Sequence, residues 1–280
     1  MIAPELAFFS SSRSGRLAVR RWAHANPKAE IIFLHGIISH SGWYEASGSH
    51  LNENGFQVHS LDRRGSGLNF AHRGDVDQWT TWLSDVVEYV ESLPTELPKL
   101  LFGISWGGIL ATSLVRVHPK LFHAYGLICP GLYSSKSTTT VQQFGLKVAE
   151  LARLDRERVE VPLRDPALFT NSPSRRRYIA EDPLTLRKIT IRFAIENLKL
   201  WNHAVDQPDQ IKIPMLLMLA DADPITDNES TRAFVSKMGS EDKSVMVYHD
   251  ASHTLEFEPD PSGYLNDLTR WCVRQSSVKN

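Results

Sequence analysis

A chain of 280 residues, 42% apolar and 22% charged, is long enough for one large domain or for one domain carrying an insertion. A formal net charge of −1 offers no overall attraction for nucleic acid, and two cysteines, Cys129 and Cys272, are too few for a disulfide framework or a structural zinc site. Met1 to Leu6 show no basic stretch followed by an apolar run, and no apolar stretch approaches a membrane span, so the expected setting is soluble and reducing, the cytoplasm.

In chain order, Leu6–Ser10 and Arg16–Trp22 read as a hairpin through Gly15. Glu30–Leu34 is a short apolar strand followed at once by His35-Gly36, and Phe56–Ser60 is a strand leading to Asp62 and the Arg63–Gly67 loop. Trp79, Trp82, Leu83, Val86, Val87 and Val90 recur at helical spacing, with Asp77 near the start. Lys99–Phe102 is a further strand, and a helical pattern covers Ile109–Val117. Ala124–Ile128, Met215–Ala220 and Ser244–Tyr248 complete the strands. Strands alternating with helices predict an α/β fold with a mostly parallel sheet, helices on both faces, and functional residues at the strands' carboxyl ends. The rhythm breaks between Pro130 and about Pro208, where only helical patterns (Val141–Leu154, Leu184–Trp201) and a Pro/Ser/Arg-rich middle appear. Residues 131–208 therefore read as an inserted cap on a core of 1–130 and 209–280. The stretch 132–208 carries 13 Lys and Arg against 9 Asp and Glu, which suits a solvated surface better than a dedicated basic rim.

Between the Lys99–Phe102 strand and the helix after it stands Gly103-Ile104-Ser105-Trp106-Gly107. A serine on a tight strand-to-helix turn exposes its hydroxyl at the positive end of the helix dipole, and flanking glycines permit the close approach. Such a serine needs a histidine as base, and the histidine needs an acid to orient it. His253 lies just after the last strand, with His249 as runner-up. Asp221, Asp223 and Asp227 compete for the acid, and Asp223, placed before Pro224 and beyond the strand end, is preferred. The order Ser105, Asp223, His253 is that of an α/β-hydrolase. Backbone N–H groups of Trp106 and Ile37 are the expected oxyanion donors. His249 and His253 share the i, i+4 spacing of a zinc helix, but they follow a strand and lack both a Glu between them and a third ligand, so no metal site is expected.

Nearly end to end, the chain resembles the α/β-hydrolases of the monoacylglycerol lipase and lysophospholipase kind. The resemblance rests on His35-Gly36, His40-Ser41-Gly42-Trp43-Tyr44-Glu45, Asp62 to Gly67, Gly103 to Gly108, Asp182-Pro183-Leu184, Ile213-Pro214, Ala222-Asp223 and His253. It implies an eight-stranded sheet, a cap over an apolar acyl tunnel, no cofactor, and a small lipid-like ester as substrate, with the cap as the surface for any peripheral membrane contact. It also implies that Gly36, Ile38 and Trp43 line the substrate site. The chain departs from the pattern at Ile37-Ile38, where a small residue and often a second Gly are usual, at Ile104, often His, and at Trp106, usually smaller. Ser39, Trp43 and Glu256 stand where polar residues for a glycerol head are expected and lack the expected types. Trp43 and Trp106 beside the site suggest a more apolar or aromatic alcohol side. The expectation is a serine ester hydrolase for medium to long acyl chains, with Phe144, Val148, Leu151, Ile191, Phe193, Ile195 and Leu198 as acyl-facing or cap-core residues. An aminopeptidase on the same fold would need an acidic amine site, for which Glu150, Asp155, Glu157 and Glu160 are available, and a triad-bearing binding protein is the non-enzymatic alternative.

Overall fold

The computed structural model describes residues 2–13, 15–135 and 152–277. The chain begins with an antiparallel hairpin, β1 (Glu5–Ser11) and β2 (Gly15–Trp22), each slightly longer than its apolar pattern. β3 (Glu30–Leu34), α1 (Glu45–Glu53), β4 (Gln57–Leu61), α2 (Trp79–Glu91), β5 (Lys99–Ile104), α3 (Trp106–Val117) and β6 (Ala124–Ile128) then alternate. The short strands β7 (Arg158–Glu160) and β8 (Lys188–Thr190) pair with each other, apart from the main sheet. β9 (Met215–Ala220) and β10 (Lys243–Tyr248) return to it, giving eight strands in the order β1-β2-β4-β3-β5-β6-β9-β10. From β4 to β10 every pairing is parallel. This is the mostly parallel, eight-stranded α/β sheet expected.

Burial follows position in the sheet. Every residue of β3, β6 and β9 is buried, as nearly continuous apolar strands in a two-sided parallel sheet must be, with Glu30 at the start of β3 2.7 Å from His59 Nε2. In β1, at the edge, exposed and half-buried residues alternate. Helices cover both faces: α1 packs with the C-terminal helix Ser262–Ser277, and α2 and α3 pack with the helix Ile191–Val205. The register aligns the strand ends, with Leu34 opposite Gly103, Ile104 opposite Ile128, Ile128 opposite Met218 and Ala220 opposite Tyr248. The loops after β3, β5, β9 and β10 therefore meet at one edge.

The excursion between β6 and β9 differs from its pattern in three respects. It contains the β7–β8 ribbon, whose three-residue strands are too short and too charged to show a period. The end of its Pro/Ser/Arg-rich middle enters the helix Pro173–Glu181, with Pro173 in the first turn and Ile179 alone buried. The helix expected from Leu184 starts only at Ile191, because residues 188–190 are paired and the Thr190 hydroxyl caps the helix by accepting the Phe193 N–H at 3.0 Å. The helix expected over Val141–Leu154 lies outside the described residues except for its last three positions, which are not helical. The Ile191–Val205 helix docks on the core: Phe193 packs edge-on against Trp82 at 4.9 Å and Asn197 Oδ1 accepts the Trp106 indole N–H at 2.5 Å. Phe193 and Ile195 are thus core residues; Ile191 and Leu198 are half-buried, and Phe144, Val148 and Leu151 fall outside the described residues.

Candidate active site

Ser105 sits between β5 and α3 with φ +52° and ψ −120°. A non-glycine residue there carries on the order of 1–3 kcal/mol of strain, which its surroundings must over-determine. The Ser105 N–H donates to Ile128 O at 3.0 Å, while its carbonyl accepts from Gly108 at 2.9 Å and Gly131 at 2.7 Å. The turn is tight enough to forbid side chains beside it. A Cβ on Gly107 would stand 2.0 Å from Leu34 O, and one on Gly103 2.4 Å from Gly107 O.

Across the sheet edge, the Ser105 hydroxyl lies 2.9 Å from His253 Nε2, and His253 Nδ1 lies 2.7 Å from Asp223 Oδ2. Asp223 is positioned by its own loop: Oδ1 accepts the Ile225 N–H at 2.8 Å and Oδ2 the Thr226 hydroxyl at 2.6 Å. Burial alone would raise its pKa, but His253, Thr226 and the Ile225 N–H together hold it below the usual carboxylate range. An ionised Asp223 accepts from Nδ1–H, which leaves Nε2 free to accept the serine proton. The runner-up residues lie elsewhere. His249 is exposed and 2.8 Å from Asp221, and Asp227 caps the helix Asn228–Ser236 by accepting the Ser230 N–H at 3.0 Å.

On either side of His253, the Ser252 N–H donates to Glu258 Oε1 at 2.8 Å and the Thr254 N–H to Phe169 O at 2.9 Å. On the facing side, a small cavity is lined by Gly36, Ile37, Ile38 and Trp43 together with Ser105 and His253. Gly36 is packed so closely that a Cβ there would lie 3.3 Å from Ser105 Cβ. Neither the Ile37 nor the Trp106 N–H donates to another atom among the described residues. His35 accepts the Arg63 N–H on Nε2 at 2.9 Å, so Nδ1 carries the proton and donates to Gly36 O at 2.7 Å. Burial, then the Arg63 charge, push the His35 ring down to about 3, keeping it neutral.

The excursion supplies part of the same wall. Asp182 Oδ2 accepts His40 Nε2–H and the Trp43 indole N–H, both at 2.9 Å, and the Thr185 hydroxyl at 3.0 Å. His40 Nδ1 takes the Gly42 N–H, which fixes this tautomer. Burial works against the Asp182 charge, yet these donors hold its pKa far below normal. The Leu186 N–H donates to Ile38 O at 2.9 Å. Trp43 packs against Phe169 and Phe257 at 5.7 and 5.2 Å, giving the cavity an aromatic wall.

Two expected neighbours of the reacting centre are elsewhere. The Trp106 indole turns away from the cavity: it packs edge-on against Trp82 at 5.0 Å and lies under Arg63, 4.4 Å from the ring centre. Its helical phase, shared with Leu110 and Ser113, directs it toward the neighbouring helices. Glu256 is buried under α1, where it accepts the Ala46 N–H at 2.7 Å and the Ser47 hydroxyl. Ser39 does line the cavity, its hydroxyl 3.0 Å from Tyr44 Oη. Of the acidic residues considered for an amine site, Glu157 and Glu160 are exposed, with Glu160 2.9 Å from Arg164, and Glu150 lies outside the described residues. Sequence alone points to Trp43 as a lining residue but gives no role to Arg63 or to the His40 and Asp182 side chains that hold Trp43; Asp182-Pro183-Leu184 and the Arg63–Gly67 loop stand out only as motifs. Among the described residues no group of His, Cys, Asp and Glu is arranged to hold a metal, and no helix is long and apolar enough to cross a membrane.

A parallel sheet whose strand ends carry Ser105, Asp223 and His253 in that chain order has the architecture of an α/β-hydrolase. Residues 25–260 match the family model described as serine aminopeptidase, S33, and the chain belongs to that family. It is 26% identical to human monoglyceride lipase, covering 90% of this chain and 84% of that one. It is also 26% identical to an uncharacterized abhydrolase domain-containing protein of Dictyostelium discoideum, covering 94% of this chain but spanning only 28% of that protein's length. The crystal structure of Paleococcus ferrophilus monoacylglycerol lipase superposes with a TM-score of 0.82 at 25% identity, over 92% of this chain and 99% of that one.

Proposed function

We propose that this protein is a serine hydrolase that cleaves a carboxylic ester with a lipid-like acyl group, through a covalent acyl-enzyme. The observation that carries the reading is the hydrogen-bonded series Ser105 Oγ, His253 and Asp223, at 2.9 and 2.7 Å. In this reading His253 Nε2 takes the hydroxyl proton as Ser105 Oγ attacks the ester carbonyl, and Asp223 stabilises the imidazolium. The N–H groups of Ile37 and Trp106 receive the oxyanion. The tetrahedral intermediate collapses, the alcohol leaves with the proton from His253, and water hydrolyses the acyl-enzyme by the same route. Gly36, Ile38 and Trp43 line the substrate site, and the aromatic wall around Trp43 suits an apolar or aromatic alcohol portion better than a bare glycerol. Residues 131–208 act as an inserted cap on a core of 1–130 and 209–280, with Ile191–Val205 as its anchor on α2 and α3. The cap is the face for any peripheral membrane contact, the setting is cytoplasmic, and the chemistry needs no cofactor. The monoglyceride lipases among the relatives support the lipid-ester substrate class.

The test uses a fluorophosphonate probe and a chain-length series of p-nitrophenyl esters beside a prolyl arylamide. The probe is expected to label the wild type and not Ser105→Ala, and the esters to turn over at least a hundredfold faster than the amide. Ser105→Ala is expected to lose about 10⁴-fold or more in kcat while keeping its melting temperature within a few degrees. A variant that retains a tenth of the activity, or a preference for the arylamide, would sink the proposal.

A further inference from the structure

We propose that Arg63 is the positioning residue of the oxyanion hole, acting from behind the peptide that donates to it; this rests on the assignment of the Ile37 N–H as an oxyanion donor. Arg63 follows β4, and its side chain is buried beneath the loop after β3. Nη1 donates to Gly36 O at 3.3 Å and Nη2 to Ile37 O at 2.9 Å. The Arg63 backbone N–H also sets the His35 tautomer, and through it the 2.7 Å bond from His35 Nδ1 to Gly36 O. Gly36 O thus accepts two donors, one of them a cation.

Gly36 O belongs to the same peptide group as the Ile37 N–H. In a planar trans peptide the C=O and N–H vectors point in opposite directions. Donors that fix the oxygen on the Arg63 side therefore fix the N–H on the opposite side. Charge-assisted donation to a carbonyl also polarises its peptide and strengthens the N–H as a donor. This matters in this chain because two β-branched residues, Ile37 and Ile38, follow Gly36, so the loop has no second glycine there to adjust its path.

The cation is itself held by stacking: among the described residues no carboxylate is paired with it, although the Asp62 charge nearby favours it. Its guanidinium lies 4.4 Å from the Trp106 ring centre and 5.3 Å from that of Phe193. Burial lowers its pKa to about 9, so it is still charged at neutral pH. Trp106 thereby contributes twice, its N–H facing the reaction and its indole supporting the cation that aligns the other donor.

The experiment compares Arg63→Met, Arg63→Lys and a neighbouring control, Arg64→Met, whose side chain pairs with Asp85 at 2.6 Å and not with this loop. Each is assayed for kcat and KM on p-nitrophenyl butyrate and for inhibition by an alkyl trifluoromethyl ketone, which forms a tetrahedral adduct on the serine. Arg63→Met is expected to lose about 10–100-fold in kcat with KM within threefold, the scale of a weakened oxyanion donor. Its affinity for the ketone should fall by the same factor. Arg63→Lys, which keeps the charge but reaches one carbonyl, should fall between, and Arg64→Met should match the wild type. An unchanged kcat in folded Arg63→Met, or a loss appearing only as raised KM, overturns the proposal. If Arg63→Met does not fold, Arg63→Lys decides: a parallel three- to tenfold fall in kcat and ketone affinity upholds the proposal, and wild-type values refute it. A wild type that neither hydrolyses the ester nor reacts with fluorophosphonate would instead overturn the proposed function.

Discussion

The loop after β3 and the loop after β10 face each other across Ser105, and they are held by opposite chemistry. The first is fixed through its carbonyls: Gly36 O and Ile37 O accept from Arg63 and His35, and Ile38 O accepts from Leu186. In the second, the residues flanking His253 are held through their N–H groups, those of Ser252 and Thr254, which donate to Glu258 and to Phe169 O. The difference follows from what each loop presents. Under the proposed reading the first loop turns an N–H toward the reacting oxygen, which leaves its carbonyls to secure it. A loop whose contribution is a side chain can be clamped on both flanking amides while the imidazole stays at its angle. The charged groups are distributed accordingly, with the Arg63 donor behind the first loop and the half-buried Glu258 acceptor behind the second.

The contrast can be broken at three places, in falling order of effect. Asp223→Asn keeps the loop geometry but presents the wrong group to His253 Nδ1. A loss of about 10⁴-fold in kcat is expected with little change in urea midpoint; a loss under tenfold in ester hydrolysis would show that Asp223 does not orient the base. Asp182→Ala leaves His40 Nε2–H, the Trp43 indole and the Thr185 hydroxyl without their acceptor. Urea unfolding should show about 3 kcal/mol of lost stability, with kcat less affected than by Arg63→Met. If kcat falls further than in Arg63→Met, the wall around Trp43 and not the carbonyl clamp governs the first loop.

The smallest effect is read as a pH profile. Burial pushes the Glu256 carboxyl up to about 7, against the Ser47 hydroxyl and the Ala46 and Ser47 N–H groups, which favour its charge. Between the unfolded value near 4.5 and the folded value the native state binds the extra proton, so stability is full below the unfolded value and falls as pH rises to about 7. Glu256→Gln should flatten that fall, on the order of 1–3 kcal/mol, in urea midpoints measured from pH 4 to 8. A wild-type midpoint that rises across this window would mean that the α1 amides outweigh burial.

Most of the sheet was legible because β3, β6 and β9 are nearly continuous apolar runs, and Ser105, Asp223 and His253 stood out as the candidate triad by their places just beyond strand ends. Other features left weaker traces. β7 and β8 gain their structure from each other across about thirty residues, and neither shows a pattern alone. Trp106 was read for its proximity to Ser105, whereas its phase with Leu110 and Ser113 already directed the indole toward the helix layer. Arg63 stands beside Arg64 in a loop after β4, and nothing in the sequence separates the two. Only the fold reveals that one arginine points under the β3 loop and its neighbour pairs with Asp85. Charge identity was readable in the chain, and burial was not.

The excursion between β6 and β9 reaches both sides of Ser105 by main-chain bonds, Leu186 N–H to Ile38 O and Phe169 O to the Thr254 N–H. Neither bond depends on the side chain at either end. A foreign segment grafted in its place, following the same path, could therefore bring a different lining and a different choice of ester while the alignment of donor loop and base survived. Selectivity and turnover are, to that extent, separately editable in this chain, and a graft that kept its side chains but shifted at residue 169 or 186 would lose both.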